Sequence, residues 1–160
     1  VSRGLGDVYK RQTDHCPFNF SEQKTLGKGD FSKIPNGCPG IEDRLMVFHE
    51  HGVNSGRISL NRFVELNATN PAKLMGMYPQ KGTIAIGSDA DIVIWDPEAK
   101  HTISAATHHM NIDYNLFEGM EVTGKPEKVY SRGRLLVDGD DFYGEAGSGK
   151  FVHRSQPMLI

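Results

Sequence analysis

The spacing of apolar side chains changes near Lys81, and this change limits the possible folds more than any other feature of the sequence. Before it, apolar residues recur at helical intervals, whereas after it short β-rich pieces alternate with turns. The segment Asp91-Ile-Val-Ile-Trp95 is too uniformly apolar for a strand with one face in water, so we predict that it lies inside a sheet or sandwich. The predicted strand pieces are 83–86, 91–95, 101–104, 128–131 and 135–138.

Three helices are predicted ahead of this boundary, over residues 41–52, 59–67 and 70–76. Ser59 is placed to cap the second helix, and Asn70 followed by Pro71 has the composition of a helix start. Gly52 and Gly76 are predicted to end the first and third helices, because glycine is the residue that most readily terminates a helix.

Three other stretches have no regular period. Residues 1–12 resemble translated adapter sequence and are predicted to be a non-native leader, with a basic surface segment as the alternative. Residues 19–40, rich in Gly, Lys, Asp and Pro, are predicted to be either disordered or a functional loop. Residues 141–160 are predicted to form a tail, either a wrapping arm or a frayed end.

Composition argues against several classes of function. The formal net charge is only −2 and no basic cluster is evident, so nucleic acid is not an expected partner. No apolar run approaches the length needed to cross a bilayer, so no membrane association is expected. Cys16 and Cys38 are too few and too far apart for a disulfide framework, which favours a reducing, cytoplasmic location.

Several long motifs follow one another in the order found in one known family. They are Thr13-Asp-His-Cys-Pro-Phe-Asn-Phe20, Gly29-Asp-Phe-Ser-Lys-Ile-Pro-Asn-Gly37, the run 81–97, and Thr107-His-His-Met110 with Tyr114-Asn-Leu-Phe-Glu-Gly-Met120. Together they resemble the dihydropyrimidinases and D-hydantoinases of the amidohydrolase superfamily, from Thr13 to about Val152. Such a series is far more specific than one short pattern.

This resemblance implies an α/β fold, namely the C-terminal portion of a metal-dependent hydrolase (β/α)8 barrel followed by part of a composite β-sandwich. Residues 13–80 would form the end of the barrel, with its active-site loop and helices. Residues 81–140 would form the C-terminal part of the sandwich. Homotetramers are usual in the family, so the full-length parent is expected to be a homotetramer.

Asp14 is the candidate catalytic residue. A carboxylate at the C-terminal mouth of a barrel strand lies where such folds place catalysis. The resemblance implies that Asp14 is both a metal ligand and the proton shuttle for a metal-bound hydroxide. It also implies two zinc ions per active site in the full-length parent, bridged by a carboxylated lysine absent from this chain. The alternative is that Asp14 only caps a turn, but within this motif the catalytic interpretation is favoured.

Asn36 is the candidate substrate-binding residue. It lies in the turn Ile34-Pro-Asn-Gly37. The asparagine of this motif in the family contacts the substrate ring, a cyclic ureide or imide, largely through its backbone. An ordinary turn is an equal alternative.

Four further residues are given structural interpretations. His15 is predicted to be a hydrogen-bonded support rather than a ligand, because adjacent strand residues point to opposite sides. Cys16 is predicted to be a small buried residue without an activating partner. His108 and His109 lack the one-face spacing of a metal-binding pair and are also predicted to be structural.

The function implied for the full-length parent is hydrolysis of the cyclic amide bond of dihydropyrimidines or hydantoins, giving N-carbamoyl amino acids. The alternative is a non-catalytic scaffold of the collapsin-response-mediator type. Those relatives typically lose the aspartate and the asparagine of these motifs, whereas Asp14 and Asn36 are both present here. The His-x-His pair, the lysine and the two later histidines of the family's metal site have no counterpart, so this chain alone is expected to be inactive.

Overall fold

A computed structural model describes residues 13–158, so the predicted leader lies outside the described residues. Residues 13–40 form a loop built from turns and two short 3-10 helices, Lys24–Gly27 and Phe31–Lys33. Asp30 caps the second of these, because its carboxylate accepts a hydrogen bond from the Ser32 backbone N–H at 3.1 Å. Residues 19–40 are therefore ordered, so the disordered alternative is wrong, and the functional loop stays a prediction.

The first helix runs farther than predicted. Helix α1, Arg44–Phe48, continues directly into a π-helical segment, His49–Asn54. The predicted end at Gly52 is therefore wrong, and the chain turns instead at Gly56, which has a φ of 73°. Gly52 serves packing, since a Cβ there would lie 3.1 Å from the Ile58 side chain.

The second and third predicted helices are one continuous helix. It comprises α2, Leu60–Val64, a π-helical segment, Glu65–Thr69, and α3, Asn70–Leu74. The predicted cap at Ser59 is confirmed, because its hydroxyl accepts a hydrogen bond from the Arg62 N–H at 3.2 Å. Asn70 lies inside the helix and is buried, so the separate helix start predicted there is wrong. The π-helical spacing carries the chain through Pro71, which lacks the N–H for a regular α-helical bond. Gly76, with a φ of 67°, ends the helix as predicted.

The β module is one antiparallel sheet in the order β1-β2-β3-β4. Its strands are β1, Ile92–Thr102, β2, Glu121–Ser131, β3, Arg134–Asp138, and β4, Asp141–Phe142. The predicted pieces 91–95 and 101–104 fall largely on β1, whose register with β2 shifts between Asp96 and Lys100. The pieces 128–131 and 135–138 lie on β2 and β3.

Two predictions for this module are wrong for the described chain. Residues 83–86 form no strand, and Ile84 and Ile86 are exposed. The apolar start of β1 is not inside the sheet, because β1 is its first strand and the side chains of Val93 and Ile94 are 48% and 42% exposed. Among residues 13–158, the segment 83–86 has no partner strand, and β1 pairs with β2 on one edge only. A strand becomes interior only when a neighbour lies along each of its edges.

The core lies between the first helix and the sheet. Met46, Ile103 and Val122 form its buried centre, and the partly buried Trp95 packs against them. The buried His49 ring lies 5.0 Å from the Trp95 ring, centroid to centroid. The helical layer therefore packs on the β module.

The tail returns to the helical layer. Ser155 donates its backbone N–H to the Gly76 carbonyl at 2.7 Å, and Met158 donates to the Lys73 carbonyl at 3.0 Å. These bonds satisfy carbonyls at the end of the long helix, so the tail is a wrapping arm rather than a frayed end. Across residues 13–158, none of the helices has the length and apolar character needed to cross a membrane.

Candidate active site

A parallel bridge joins the two motifs that carry the candidate site residues. His15 pairs with Cys38, and the Cys16 N–H donates to the Cys38 carbonyl at 3.3 Å. Asp14 precedes one side of this bridge by a single residue, and Asn36 precedes the other side by two. The fold thus brings both predicted site residues onto neighbouring backbone segments, and both are exposed.

The backbone of Asp14 has an uncommon conformation. Its φ is 50°, and Arg132 is the other non-glycine residue with a positive φ in the described part of the chain. This left-handed conformation costs an L-residue roughly 1–2 kcal/mol, although aspartate tolerates it better than most. Such outliers cluster at functional sites, where surrounding structure holds them in place. The conformation therefore agrees with a site role for Asp14.

Gly37 allows the Asn36 turn to pack closely on the Asp14 strand end. Its φ is 121°, and a Cβ at this position would overlap the Cys16 carbonyl oxygen. Only glycine combines this conformation with so close an approach. The Pro-Asn-Gly sequence is therefore required by the contact between the two segments, in addition to forming a turn.

Lys24 holds the same turn from the other side. Its ammonium donates hydrogen bonds to the Pro35 carbonyl and, at 2.6 Å, to the Gly37 carbonyl. The ammonium also lies 5.5 Å from the centroid of the Phe18 ring. Sequence analysis missed this residue, because a lysine in a polar loop has no feature that separates it from a solvated one.

Asp113 anchors the beginning of the loop. Its carboxylate accepts hydrogen bonds from the Phe20 N–H at 2.6 Å, the Ser21 N–H at 2.9 Å and the Ser21 hydroxyl. These bonds, the Ser21 hydroxyl foremost, lower the pKa of Asp113 to about 2. The loop of the first two motifs is thus tied to the segment that bears the last motif.

Tyr114 adds a second connection between the same segments. Its ring meets the Phe20 ring edge-on, with centroids 6.0 Å apart. Burial, and then the neighbouring Cys38 thiol, raise the pKa of Tyr114 above its usual value. The bridged residue Cys38 therefore contacts both the strand end and the segment beyond the β1 strand.

Two interpretations of the strand end need correction. Cys16 is exposed, so its prediction as a buried residue is wrong. The reason is that the backbone of Gly37 packs against the backbone of Cys16 and leaves the thiol outside. The Nδ1 atom of His15 is buried and has no hydrogen-bond partner within residues 13–158, so the expected supporting bond is not made through this nitrogen.

Hydrogen bonds of the paired histidines support their structural interpretation. His109 Nδ1 lies 2.8 Å from Glu42 Oε1, and His108 Nε2 lies 2.9 Å from the Ile112 carbonyl. The Glu42 carboxylate, followed by the Asp140 carbonyl, raises the pKa of His109. Both rings line a cleft of about 330 Å³ beside the sheet, whose lining does not include Asp14 or Asn36.

Within residues 13–158, the donor atoms around Asp14 are too few to hold a metal ion. Residues 13–158 contain no group of three or more His, Cys, Asp or Glu side chains that could do so. Asp14 is thus a single candidate ligand, and the described part of the chain does not form a metal site by itself.

Comparison with known proteins connects this geometry to a family. The model of the amidohydrolase family matches residues 13–136. The chain belongs to the amidohydrolase family. Members of this family are generally metal-dependent.

The similar proteins also support the narrower resemblance. The chain is 52% identical over 151 residues to a D-hydantoinase of Geobacillus stearothermophilus, covering 94% of this chain and 32% of that protein. It is 54% identical over 153 residues to a dihydropyrimidinase of Rattus norvegicus, covering 96% of this chain and 29% of that protein. The resemblance to hydantoinases and dihydropyrimidinases is therefore confirmed.

Solved structures agree with the predicted fold. The chain superposes on the D-hydantoinase of Bacillus sp. AR9 with a TM-score of 0.88 at 60% identity. The superposition covers 91% of this chain and 32% of the Bacillus chain. The predicted fold class, a portion of the amidohydrolase fold, is confirmed. The chain spans about a third of the length of these relatives. The predicted boundaries at residues 80 and 140 stay predictions.

Proposed function

We propose that the whole protein hydrolyses the cyclic amide bond of dihydropyrimidines or hydantoins, opening the ring to an N-carbamoyl amino acid. Relatives named D-hydantoinase and dihydropyrimidinase support this reaction class. The observation that carries the proposal is the bridge between His15 and Cys38, which puts the Asp14 and Asn36 segments side by side. The collapsin-response-mediator alternative is less well supported, because both residues are retained.

Asp14 has two roles in this proposal. It would be one ligand of a site for two zinc ions, and the other ligands, among them a carboxylated lysine, would come from outside this chain. Zinc, when bound, lowers the pKa of water and so supplies a nucleophile at neutral pH. The Asp14 carboxylate takes up the proton released during attack and returns it to the departing ring nitrogen.

Asn36 orients the ring of the substrate. A cyclic ureide or imide carries alternating carbonyl acceptors and N–H donors. The backbone N–H and carbonyl of Asn36 can match such a pair when the turn is rigid. Gly37 packs this turn onto the strand end of Asp14, which fixes the substrate contact relative to the proton shuttle.

Further properties of the whole protein belong to the same proposal. We expect a cytoplasmic homotetramer acting in pyrimidine catabolism, with residues 13–80 in the barrel and 81–140 in the sandwich. The 160-residue chain alone should not turn over substrate, because its described residues bring no second and third metal ligand to Asp14. Measurable hydrolysis of dihydrouracil by the purified chain would contradict this point.

A chimera tests the function. Residues 13–158 would replace the aligned third of the Geobacillus D-hydantoinase, and turnover of hydantoin and dihydrouracil would be measured. We expect turnover, and we expect Asp14→Asn to lower kcat by roughly 10²–10⁴-fold, the usual contribution of a positioned acid-base group.

Asp30→Asn is the matched control, because Asp30 is in the same loop but bonds to Ser32 and Lys33. It should leave kcat unchanged. A folded, metal-loaded chimera without turnover would favour the scaffold alternative. Full activity of Asp14→Asn would refute the proposed role of Asp14.

A further inference from the structure

The turn that contains Asn36 is flanked by two carbonyls that converge on one cation. The ammonium of Lys24 donates hydrogen bonds to the carbonyls of Pro35 and Gly37, one on each side of Asn36. Two carbonyl oxygens directed to the same point repel each other unless a positive charge lies between them. The conformation of the turn therefore depends on Lys24.

Peptide geometry converts this clamp into an orientation for Asn36. The Pro35–Asn36 peptide is trans, and in a planar trans peptide the N–H points away from the carbonyl. With the Pro35 carbonyl directed at Lys24, the Asn36 N–H must point away from the ammonium. Lys24 thus fixes the direction of a backbone donor that its own side chain does not touch.

The ammonium itself is held in place by two further features. Phe18 presents its ring 5.5 Å from Nζ, a distance that suits a cation–π contact. Lys24 also lies in the 3-10 helix Lys24–Gly27, which begins three residues after Ser21, the residue that Asp113 binds. The lysine is half-buried rather than solvated, so its position is determined by the loop.

We infer that Lys24 is a positioning residue for the substrate turn, holding the Asn36 backbone in the orientation that contacts the ring of a cyclic ureide. This inference rests on the proposed function of Asn36. Lys24 acts through the turn and makes no contact with the reacting atoms.

The test uses the chimera with three single variants. Lys24→Met keeps the length and apolar stem of the side chain but removes its donors, and Lys24→Arg keeps the charge. Lys33→Met is the matched control, because Lys33 lies in the same loop and pairs at 3.3 Å with the exposed Asp30. KM and kcat would be measured for each variant, together with amide hydrogen exchange of residues 34–38 without substrate.

We expect Lys24→Met to lower kcat/KM by roughly 10- to 100-fold, mainly through KM, since a displacement of about 1 Å in a positioning group has effects of this size. Exchange at residues 34–38 should become faster. Lys24→Arg should keep kcat/KM and the exchange rate at residues 34–38 close to those of the unsubstituted chimera. Lys33→Met should change neither of these quantities. Metal content should be the same in all four proteins.

Two results would overturn the inference. Exchange at residues 34–38 that is equal in Lys24→Met and the unsubstituted chimera would mean that the clamp does not order the turn. Faster exchange with unchanged KM and kcat would mean that the ordered turn does not position substrate. If the unsubstituted chimera has no turnover, the proposed function fails, and the role of Lys24 in positioning substrate fails with it, whereas exchange at residues 34–38 still decides whether Lys24 orders the turn.

Discussion

Gly124 lies where the first helix packs on the sheet, and replacing it with alanine gives the sharpest test of that packing. Its φ is 101°, a conformation that L-residues rarely adopt. A Cβ at this position would lie 2.6 Å from Nδ1 of the buried His49 and 2.9 Å from Nε1 of Trp95. The Nδ1 atom of His49 lies 3.0 Å from the Thr123 carbonyl, so the ring cannot move away without losing that bond.

The expected magnitude has two parts. A positive φ costs an alanine roughly 1–2 kcal/mol, and overpacking a filled contact costs about 1–3 kcal/mol more. Gly119→Ala separates these parts, because Gly119 has a φ of 76° but open space within 4 Å of the position that an alanine methyl group would take. Gly124→Ala should therefore lower the free energy of unfolding by about 1–3 kcal/mol more than Gly119→Ala does.

Urea unfolding of the 160-residue chain, followed by fluorescence of its single tryptophan, Trp95, is the assay. With an m value of about 2 kcal/mol per molar urea, the Gly124→Ala midpoint should fall roughly 0.5–1.5 M below that of Gly119→Ala. Equal midpoints for the two variants would refute the close packing of His49 and Trp95 against Gly124.

Three further predictions concern charge and surface. The contact of His109 with Glu42 should add about 0.2–1 kcal/mol to the free energy of unfolding at a pH below the usual histidine pKa, and this contribution should disappear as pH rises through the raised pKa of His109. Glu42→Gln should remove this pH dependence of the urea midpoint. An unchanged dependence would argue against the contact. Asp113, with a pKa of about 2, should stabilise the loop at a pH above the usual aspartate pKa, and this stabilisation should disappear as pH falls through 2. At neutral pH, Asp113→Asn should speed amide exchange at residues 19–24. Unchanged exchange would contradict the anchoring of the loop by Asp113. Ile94 is exposed on β1, whose outer edge is open within residues 13–158, so the chain should self-associate as its concentration rises. Ile94→Lys should reduce the light scattering of concentrated solutions. A chain that stays monomeric at every concentration would contradict the predicted self-association.

Local sequence signals predicted the features that depend on neighbouring residues. Ser59 caps its helix with its own hydroxyl, and Gly76 ends the same helix through its own backbone conformation. Gly52 and Asn70 were misjudged because π-helical segments carry both helices through these positions. A glycine that makes room for a side chain has the same sequence signal as one that ends a helix.

Predictions that required a partner strand were less successful. Residues 83–86 and the start of β1 have strand composition, but residues 13–158 provide no strand beside the first and only one neighbour, β2, beside the second. Their burial therefore could not follow from composition, since burial depends on which element packs alongside.

The residues of the candidate site also divide into those that sequence motifs predict and those that depend on distant partners. Asp14 and Asn36 were identified from the family motifs that contain them. Lys24 and Asp113 could not be, because their partners are set by the path of the loop: Lys24 reaches a carbonyl 13 residues away, and Asp113 binds a backbone N–H 92 residues away. Neither spacing corresponds to a regular element, so no period in the sequence reports it.

The most direct test of the central claim is to sequence the DNA upstream of the codon for Thr13 in the source of this chain. If the protein is a metal-dependent cyclic-amide hydrolase, that DNA should encode a contiguous barrel with a His-x-His pair, a lysine in the middle of the chain and two later histidines, which Asp14 would complete. A barrel in which those ligands are replaced would contradict the claim and make the retained Asp14 part of a non-catalytic scaffold.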